Sequence, residues 1–331
     1  MTDPLSVLPR RDVLRLAAAG AAVLTGAVRA QATWPAKPVT MIVPFPAGGG
    51  TDAFARPLSG QFTKQTGQTL VVDNRGGAGG TLGANVASKG AADGYLLFMG
   101  AVHHAIAPSV YPKLDYDLER DFVPLLLIAN VPQVVVVNPK RVSANTIQEF
   151  IAEAKRTPGK LNYASAGAGT SHHLAGELFK LQTGTFITHI PYRGAGPALA
   201  DLIAGNVDVM FDGLGSSAQH IKGGHIKALM VSGAQRNPAF PNVPCAREAG
   251  LPDYTVTTWY GLWAPKSTPA AVQTRIVDEM KKAMTTDELK TIWANNGSEI
   301  PNLVGPQYGA FVNSEIKRWA GVVKASGAKL E

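Results

Sequence analysis

With 331 residues, 45% of them apolar and 17% charged, the chain has the composition of a folded protein with a sizeable core rather than of a disordered segment. A net charge of +7 without a basic run favours small anions or a membrane surface as partners and excludes the usual footprint of nucleic-acid binding. A single cysteine, Cys245, excludes an intrachain disulfide; beside Pro244, with nothing nearby to lower its pKa, it reads as a loop thiol and not as a nucleophile.

Residues 1–32 read as an export signal and not as part of the fold. Arg10-Arg11-Asp12-Val13-Leu14-Arg15 has the twin-arginine form. The apolar run that follows, Leu16 to Val28, is thirteen residues long. A membrane span needs about 20. Ala30-Gln31-Ala32 is a small-x-small cleavage site, which places the mature start near Thr33, and Arg29 just before it suits the twin-arginine route. These residues carry four Arg and two Asp, so the remainder keeps +5. The alternative is an N-terminal helix of a cytoplasmic protein.

Val39–Val43 is a short apolar strand stopped by Pro44 and Pro46. After the turn Gly48–Gly50, Thr51 or Asp52 caps a helix whose Phe54, Leu58 and Phe62 recur every four residues, and Gly67 ends it. Leu70–Asp73 is the next strand; Gly76–Gly80 leads to Thr81, which caps a second helix, and Gly94–Gly100 is a third strand. Phe122–Ala129 and Gln133–Val137 read as two further strands, followed by a helix over Thr146–Arg156.

The first cassette then recurs. Leu161–Tyr163 stands for the first strand, Ala166–Ser171 for its glycine turn, Gln182-Thr183-Gly184 for Gln65-Thr66-Gly67, Thr185–His189 for the second strand and Tyr192–Gly196 for Asn74–Gly79. Leu174, Leu178 and Leu181 form the inward face of its first helix; a second helix begins near Pro197, and Asp208–Gly213 is its third strand. Ile226–Ser232 and Thr255–Ala264 are strands, and the tail carries helices over Pro269–Thr285 and Gln307–Lys324. Strand–helix–strand units of this kind build parallel sheets with helices on both faces. The expected architecture is α/β with two lobes: 33–132, 133–256, and a return segment 257–331 packing on the first lobe. A separate helical appendage is the alternative for the tail.

A glycine-rich turn that opens a helix exposes N–H groups without intrahelical partners at the positive end of the helix dipole. Ala47-Gly48-Gly49-Gly50-Thr51 and Ala166-Gly167-Ala168-Gly169-Thr170 are both built this way. One such turn alone is commonly an ordinary loop; two at matching points of twin lobes point to one anion gripped from both sides. Thr51, Ser165, Thr170 and Ser171 add hydroxyls, and Asp52 and Asp212 add acids that either orient the ligand or, for Asp52, simply cap the helix. Arg75 and Arg193 occupy equivalent places, and Arg193 is the preferred partner for a carboxylate, although either can serve only to brace a turn. The doublets His103-His104 and His172-His173 each offer one side chain to the cleft, His104 and His172 being the candidates. Trp259 and Tyr260 wall the cleft or belong to the core. No metal or cofactor is expected: the two doublets lack the converging ligands of a metal site. Gly48-x-Gly50-x-x-Ala53 imitates a dinucleotide fingerprint, but Pro44-Phe45-Pro46 separates it from its strand.

These segments resemble the Bug-type solute receptors of tripartite tricarboxylate transporters. The resemblance is carried by Trp34–Asp52, Asp73–Gly80, Asp93-Gly94-Tyr95, Gly159–Tyr163, Gly167–Phe179, Pro191–Gly194, Val207–Asp212 and Trp259–Pro265. It implies a type II periplasmic binding fold, two lobes closing on a ligand, and no catalysis. It also implies that the turns Phe45–Asp52 and Ser165–His173, Gly169 among them, hold a carboxylate through main-chain N–H groups, with Asp212 near. The chain departs from the pattern at Gly76, where proline is common, at His103, and at His172, where glutamine is common. The expected function is a periplasmic, monomeric solute-binding protein that captures a dicarboxylate or aromatic acid for membrane transporter subunits. An exported cofactor-dependent oxidoreductase is the alternative; delivery to a signalling receptor shares the same binding chemistry.

Overall fold

The computed structural model describes residues 34–326, so the export signal over residues 1–32 and its cleavage near Ala32 lie outside the described residues. Every strand and helix discussed below belongs to one compact unit that begins at Lys37.

β1 (Val39–Val43) leads into α1 (Gly50–Thr66), which returns to β2 (Leu70–Asn74). Phe54, Leu58 and Phe62 of α1 are wholly buried, and Gly67, at φ +70°, ends the helix by donating to the Thr63 carbonyl, a left-handed conformation that glycine adopts without strain. α2 (Thr81–Ser88) then leads to β3 (Leu96–Ala101), and α3 (Val102–Val110) starts directly from the end of that strand. Gly80, not Thr81, is the N-cap of α2; the Thr81 hydroxyl donates back to Ala78 O. β4 (Phe122–Val137) and α4 (Ile147–Arg156, capped by Thr146) precede the second copy. That copy runs β5 (Asn162–Ser165), α5 (Ser171–Thr183), β6 (Thr188–Pro191), α6 (Ala195–Ala204), β7 (Val209–Gly213) and α7 (Leu214–Lys222), which again leaves its strand without a loop. β8 (Lys227–Val231), β9 (Thr257–Pro265), α8 (Ala270–Met284), α9 (Asp287–Asn295) and α10 (Gly305–Ser326) complete the chain.

The strands lie in the order β2-β1-β3-β9-β4-β7-β5-β6, with β8 paired to β4 off this path. Within each copy the pairs are parallel, β1 with β2 and β3, and β5 with β6 and β7. The long strands β4 and β9 run antiparallel to their neighbours, so the sheet is mixed and not wholly of the parallel type. β4 is one sixteen-residue strand where the sequence suggested two. It pairs with β9 from Phe122 to Pro132, then from Gln133 onward with β7 on one side and β8 on the other. Proline cannot donate to a ladder, and Pro132 sits where the partner changes.

Three helices were absent from the sequence reading. α3 has seven of nine residues buried, so it carries no amphipathic period; α7 begins Leu-Gly-Ser-Ser and hides the same way, and α9 is short. On α5 the buried face centres on Ala175 and Phe179, which leaves Leu181 at its margin, 65% exposed, instead of inward.

The tail is fastened through a buried acid. Glu315 of α10 accepts from Trp259 Nε1 at 2.8 Å and Trp319 Nε1 at 3.2 Å, while Arg318 reaches its other oxygen at 3.1 Å. Trp259 and Trp319 are both buried, so removing the acceptor strands two indole donors. Glu315→Ala is expected to lower unfolding stability by about 2–4 kcal/mol, at roughly 1–3 kcal/mol per stranded donor, and Glu315→Gln by less. A urea titration that leaves the Glu315→Ala midpoint unchanged would contradict this role.

Candidate functional site

β1 delivers the chain into Pro44-Phe45-Pro46 and then into the first glycine turn. Gly49 is the N-cap of α1, in extended conformation and without a side-chain cap, so the first-turn N–H groups lack intrahelical acceptors. Asp52 is engaged by the turn itself and is not among the residues lining the cleft. Its Oδ2 accepts from Gly48 N at 3.1 Å and Arg56 Nε at 2.7 Å, and its Oδ1 from Asn74 Nδ2 at 3.1 Å. Asn74 also donates to Phe45 O at 2.8 Å, so the acid and the amide hold the turn in shape.

The second turn is spent differently. Ser165 Oγ accepts from Gly167 N at 3.1 Å and shares a 2.7 Å bond with His189 Nε2. Gly169 N donates to His173 Nδ1 at 3.1 Å. Thr170 caps α5, accepting from His173 N and donating to Gly167 O. Ser171 N donates to His103 Nδ1 at 3.0 Å, a bond from the second copy to the first, and Gln133 Nε2 donates to the Ser171 hydroxyl at 3.2 Å. The two turns match in sequence, yet the second has most of its donors engaged inside the protein.

Nor do the twin turns touch each other. A Cβ added at Gly196 would fall 2.5 Å from Ala47 O, and one at Gly49 would lie 3.6 Å from Ala195 Cβ. One at Gly167 would lie 3.7 Å from Gly79 Cα. The first glycine turn of each copy therefore meets the second glycine turn of the other. Pro46 is caught between Gly76 and Gly194, where an added Cβ would come within 2.7 Å of its Cδ in either case.

Inside this contact lies a cleft lined by Phe45, Gly49, Gly50, Thr51, His103, Ala166, His172, Ala195 and Tyr260. Its cavity is only about 10 Å³, the room of one water molecule. His103 and His172 meet edge to face at 5.4 Å, and Phe45 packs on His103 at 5.1 Å. Their sequence neighbours turn away. His104 bonds with Ala101 and, through Nε2, with Gly80 O at 3.3 Å, and His173 stacks on His189 at 4.1 Å. Of the sequence candidates, Phe45, Gly49, Thr51 and His172 thus line the cleft. Ala47 and Gly48 shape the first turn; Ser165, Gly169, Thr170 and Ser171 lie behind the second wall; His104 braces the first half, and Arg193 is exposed outside the lining. His103, Ala166, Ala195 and Tyr260 join the wall, and Trp259 is core.

Asp212 sits behind His172, wholly buried. Its Oδ2 accepts from the Ser216 and Ser217 hydroxyls at 2.7 and 2.5 Å. Its Oδ1 lies 3.6 Å from His172 Nδ1, and neither atom has a hydrogen-bond partner. Burial pulls the His103 imidazole well below its usual range, and that of His172 below it as well. Because Nδ1 of His103 accepts from Ser171, its ring proton resides on Nε2, so the cleft meets a neutral donor. A larger hollow of about 410 Å³ is walled mainly by apolar side chains, among them Leu126, Met284, Ile300 and Leu303, with Lys281 and Lys290. Among the described residues no group of three or more His, Cys, Asp or Glu is placed to hold a metal ion, and no helix is long and apolar enough to cross a membrane.

Known proteins share the family and the fold. Residues 54–328 match the family TctC, the tripartite tricarboxylate transporter family receptor. The chain is similar to the periplasmic binding protein BugD, with a TM-score of 0.86 and 33% identity over 90% of this chain and 100% of that one. It is similar to R. palustris Rpa4515, solved with adipate, at TM-score 0.86 and 34% identity over 90% and 100% of the two chains. MatC (Rpa3494) from Rhodopseudomonas palustris, solved with bound malate, gives TM-score 0.82 and 33% identity over 88% and 100%.

Two outcomes follow from the packing. A Cβ at Gly50 would fall 2.0 Å from the Tyr260 hydroxyl oxygen. Gly50→Ala is expected to cost about 1–3 kcal/mol of stability, and Tyr260→Phe to recover part of that loss in the double variant; strictly additive effects in chemical denaturation would show that the two do not meet. The buried histidines set the acid limit. Burial holds His104 down to about 4 and His189 down to about 3, against an ordinary 6.5. The unfolded chain therefore takes up protons first, so stability present above pH 6.5 is lost as pH falls toward 4. The melting temperature is expected to drop between pH 7.5 and 5; equal values would reject this linkage.

Proposed function

This chain belongs to the family of tripartite tricarboxylate transporter receptors, which are periplasmic solute-binding proteins and not enzymes, and we propose that it captures a small carboxylate for membrane subunits of such a transporter. The observation that carries this reading is the cleft itself. At one wall stand the uncapped first turn of α1 and the Thr51 hydroxyl, and at the other His172 and Ala166, with only a water-sized gap between them. A main-chain nest at a helix N-terminus is a site for an anion and needs no cationic side chain.

Adipate and malate, held by two similar structures, are both dicarboxylates, which favours a dicarboxylate over an aromatic acid here. An acid of that size does not fit between the walls as they stand, so uptake requires the two halves to separate. We assign the lobes to residues 33–132 and 133–256, with 257–331 returning to the first. β4 and β9 cross between them, and the change of partner at Pro132 and Gln133 is the point where bending disturbs fewest ladder bonds. Residues 1–32 would direct export to the periplasm and be cleaved near Ala32.

A panel of organic acids in a thermal-shift assay tests the assignment. A true ligand at a hundredfold excess over Kd is expected to add about 2.7 kcal/mol of stability. Thr51→Val, which removes a hydroxyl from the anion's wall, is expected to weaken binding about tenfold, the equivalent of a hydrogen bond to a charged group. If no acid in a broad panel moves the melting temperature, the carboxylate reading is wrong.

A further inference from the structure

Buried polar atoms in proteins nearly always have partners, and those without one call for a reason. His172 Nδ1 and Asp212 Oδ1 are such atoms, side by side at 3.6 Å, on side chains 4% and 0% exposed. Their separation is too long for a hydrogen bond between them. It is the spacing at which one small group can lie about 2.8 Å from each, a usual hydrogen-bond length.

The surroundings limit what that group can be. Asp212 Oδ2 is already filled by two serine hydroxyls, so its remaining oxygen asks for a donor. His172 lines the same small cavity as Gly50 and Thr51, which places the pair close to where an acid would meet the α1 N-terminus. Gln133, whose Oε1 is also unpartnered and buried, adds a further acceptor on the strand paired with β7. Ala166, Ala195 and Phe45 make part of the wall apolar, while His103 and Tyr260 are its other polar members.

We propose that the His172–Asp212 pair selects acids that carry a hydrogen-bond-donating substituent near the carboxylate, the 2-hydroxy acids being the simplest class. The hydroxyl donates to Asp212 Oδ1 and accepts from His172 Nδ1–H. An amino group donates to Asp212 in the same place. A plain dicarboxylate leaves both protein atoms without partners once the cleft closes and water is excluded. The inference rests on the carboxylate reading of the cleft and narrows it.

Titration calorimetry on the wild-type protein with matched acids provides the test: succinate, malate, aspartate and 2-methoxysuccinate, then glutarate against 2-hydroxyglutarate. Malate and 2-hydroxyglutarate are expected to bind at least about tenfold more tightly than the unsubstituted acids. 2-Methoxysuccinate, which accepts but does not donate, is expected to fall back toward succinate. Aspartate binding above malate would identify the preferred donor as an amino group and still support the pair's role. Equal affinities across each matched set would overturn the proposal while leaving the carboxylate reading standing, whereas failure of every acid would reject that reading first. In His172→Phe, which keeps the ring against His103 but removes both nitrogens, the malate-to-succinate ratio is expected to approach one. An unchanged ratio in a folded His172→Phe protein would assign the discrimination to other residues.

Discussion

Both halves of this protein hang on one strand. β4 pairs with β9 along its first eleven residues and with β7 and β8 along its last five, so the ladder of one copy continues into the ladder of the other without a break in the backbone. A connection of this kind is stiff along its length and pliable only where the partner changes. Around Gln133 that change is closely held. Its N–H meets Ser232 Oγ at 2.9 Å and Val256 O at 3.2 Å, its carbonyl accepts from Ser232 N, and its side chain reaches Ser171 and Thr258. One residue thus links β4 to the approach of β9, to the end of β8 and to the start of α5, which carries the wall of the cleft.

The contact between the halves shows why the glycines stand where they do. Gly196 against Ala47 O is an approach of main chain to main chain closer than a side chain allows, Gly167 meets Gly79 at ordinary contact distance, and the Pro46 ring fits between Gly76 and Gly194 where no Cβ has room. Tyr111 adds one hydroxyl bond across the same seam, to Ala168 O at 3.4 Å. A surface made largely of backbone and short side chains buries little apolar area, so it holds the closed form weakly by itself. Such a seam leaves the free energy of closure to whatever lies in the cleft, which is what a reversible binder requires.

Much of this was legible in the residues. The repeat of strand, glycine turn and helix declared two α/β units, and Val39–Val43, the Phe54–Phe62 stripe and Gly67 marked their elements within a residue or two. What the residues hid has physical causes. The expected break at 130–132 contains Pro132, which lies where the partner changes, while Pro124, inside the first expected strand, lies where the pairing register shifts. α3 lacked a hydrophobic period because seven of its nine residues are buried, and α7 because its first five residues are all buried, small and polar ones included. The pairing of turns was hidden for another reason. Sequence likeness suggests that like faces like, but two copies related by an approximate exchange bring each first turn against the other's second.

The same exchange explains why equal motifs acquired unequal chemistry. In the first copy an acid at the third position of the helix, Asp52, is paired with Arg56, accepts from Asn74 and serves to shape the turn. In the second copy the helix starts with Thr170, whose hydroxyl caps it, and the adjoining residue of interest is His172. The first helix therefore starts without a side-chain cap on its N–H groups. The second contributes an imidazole, and β7 places Asp212 behind that ring because Asp212 lies one residue before the strand's end, where its side chain turns toward Ser216 and Ser217 of α7. The two copies thus differ where they meet the cleft: an uncapped helix N-terminus stands on one wall, and His172 with Asp212 behind it stands on the other. A protein assembled from two like units gains this division only because each unit has diverged at the few residues nearest the seam.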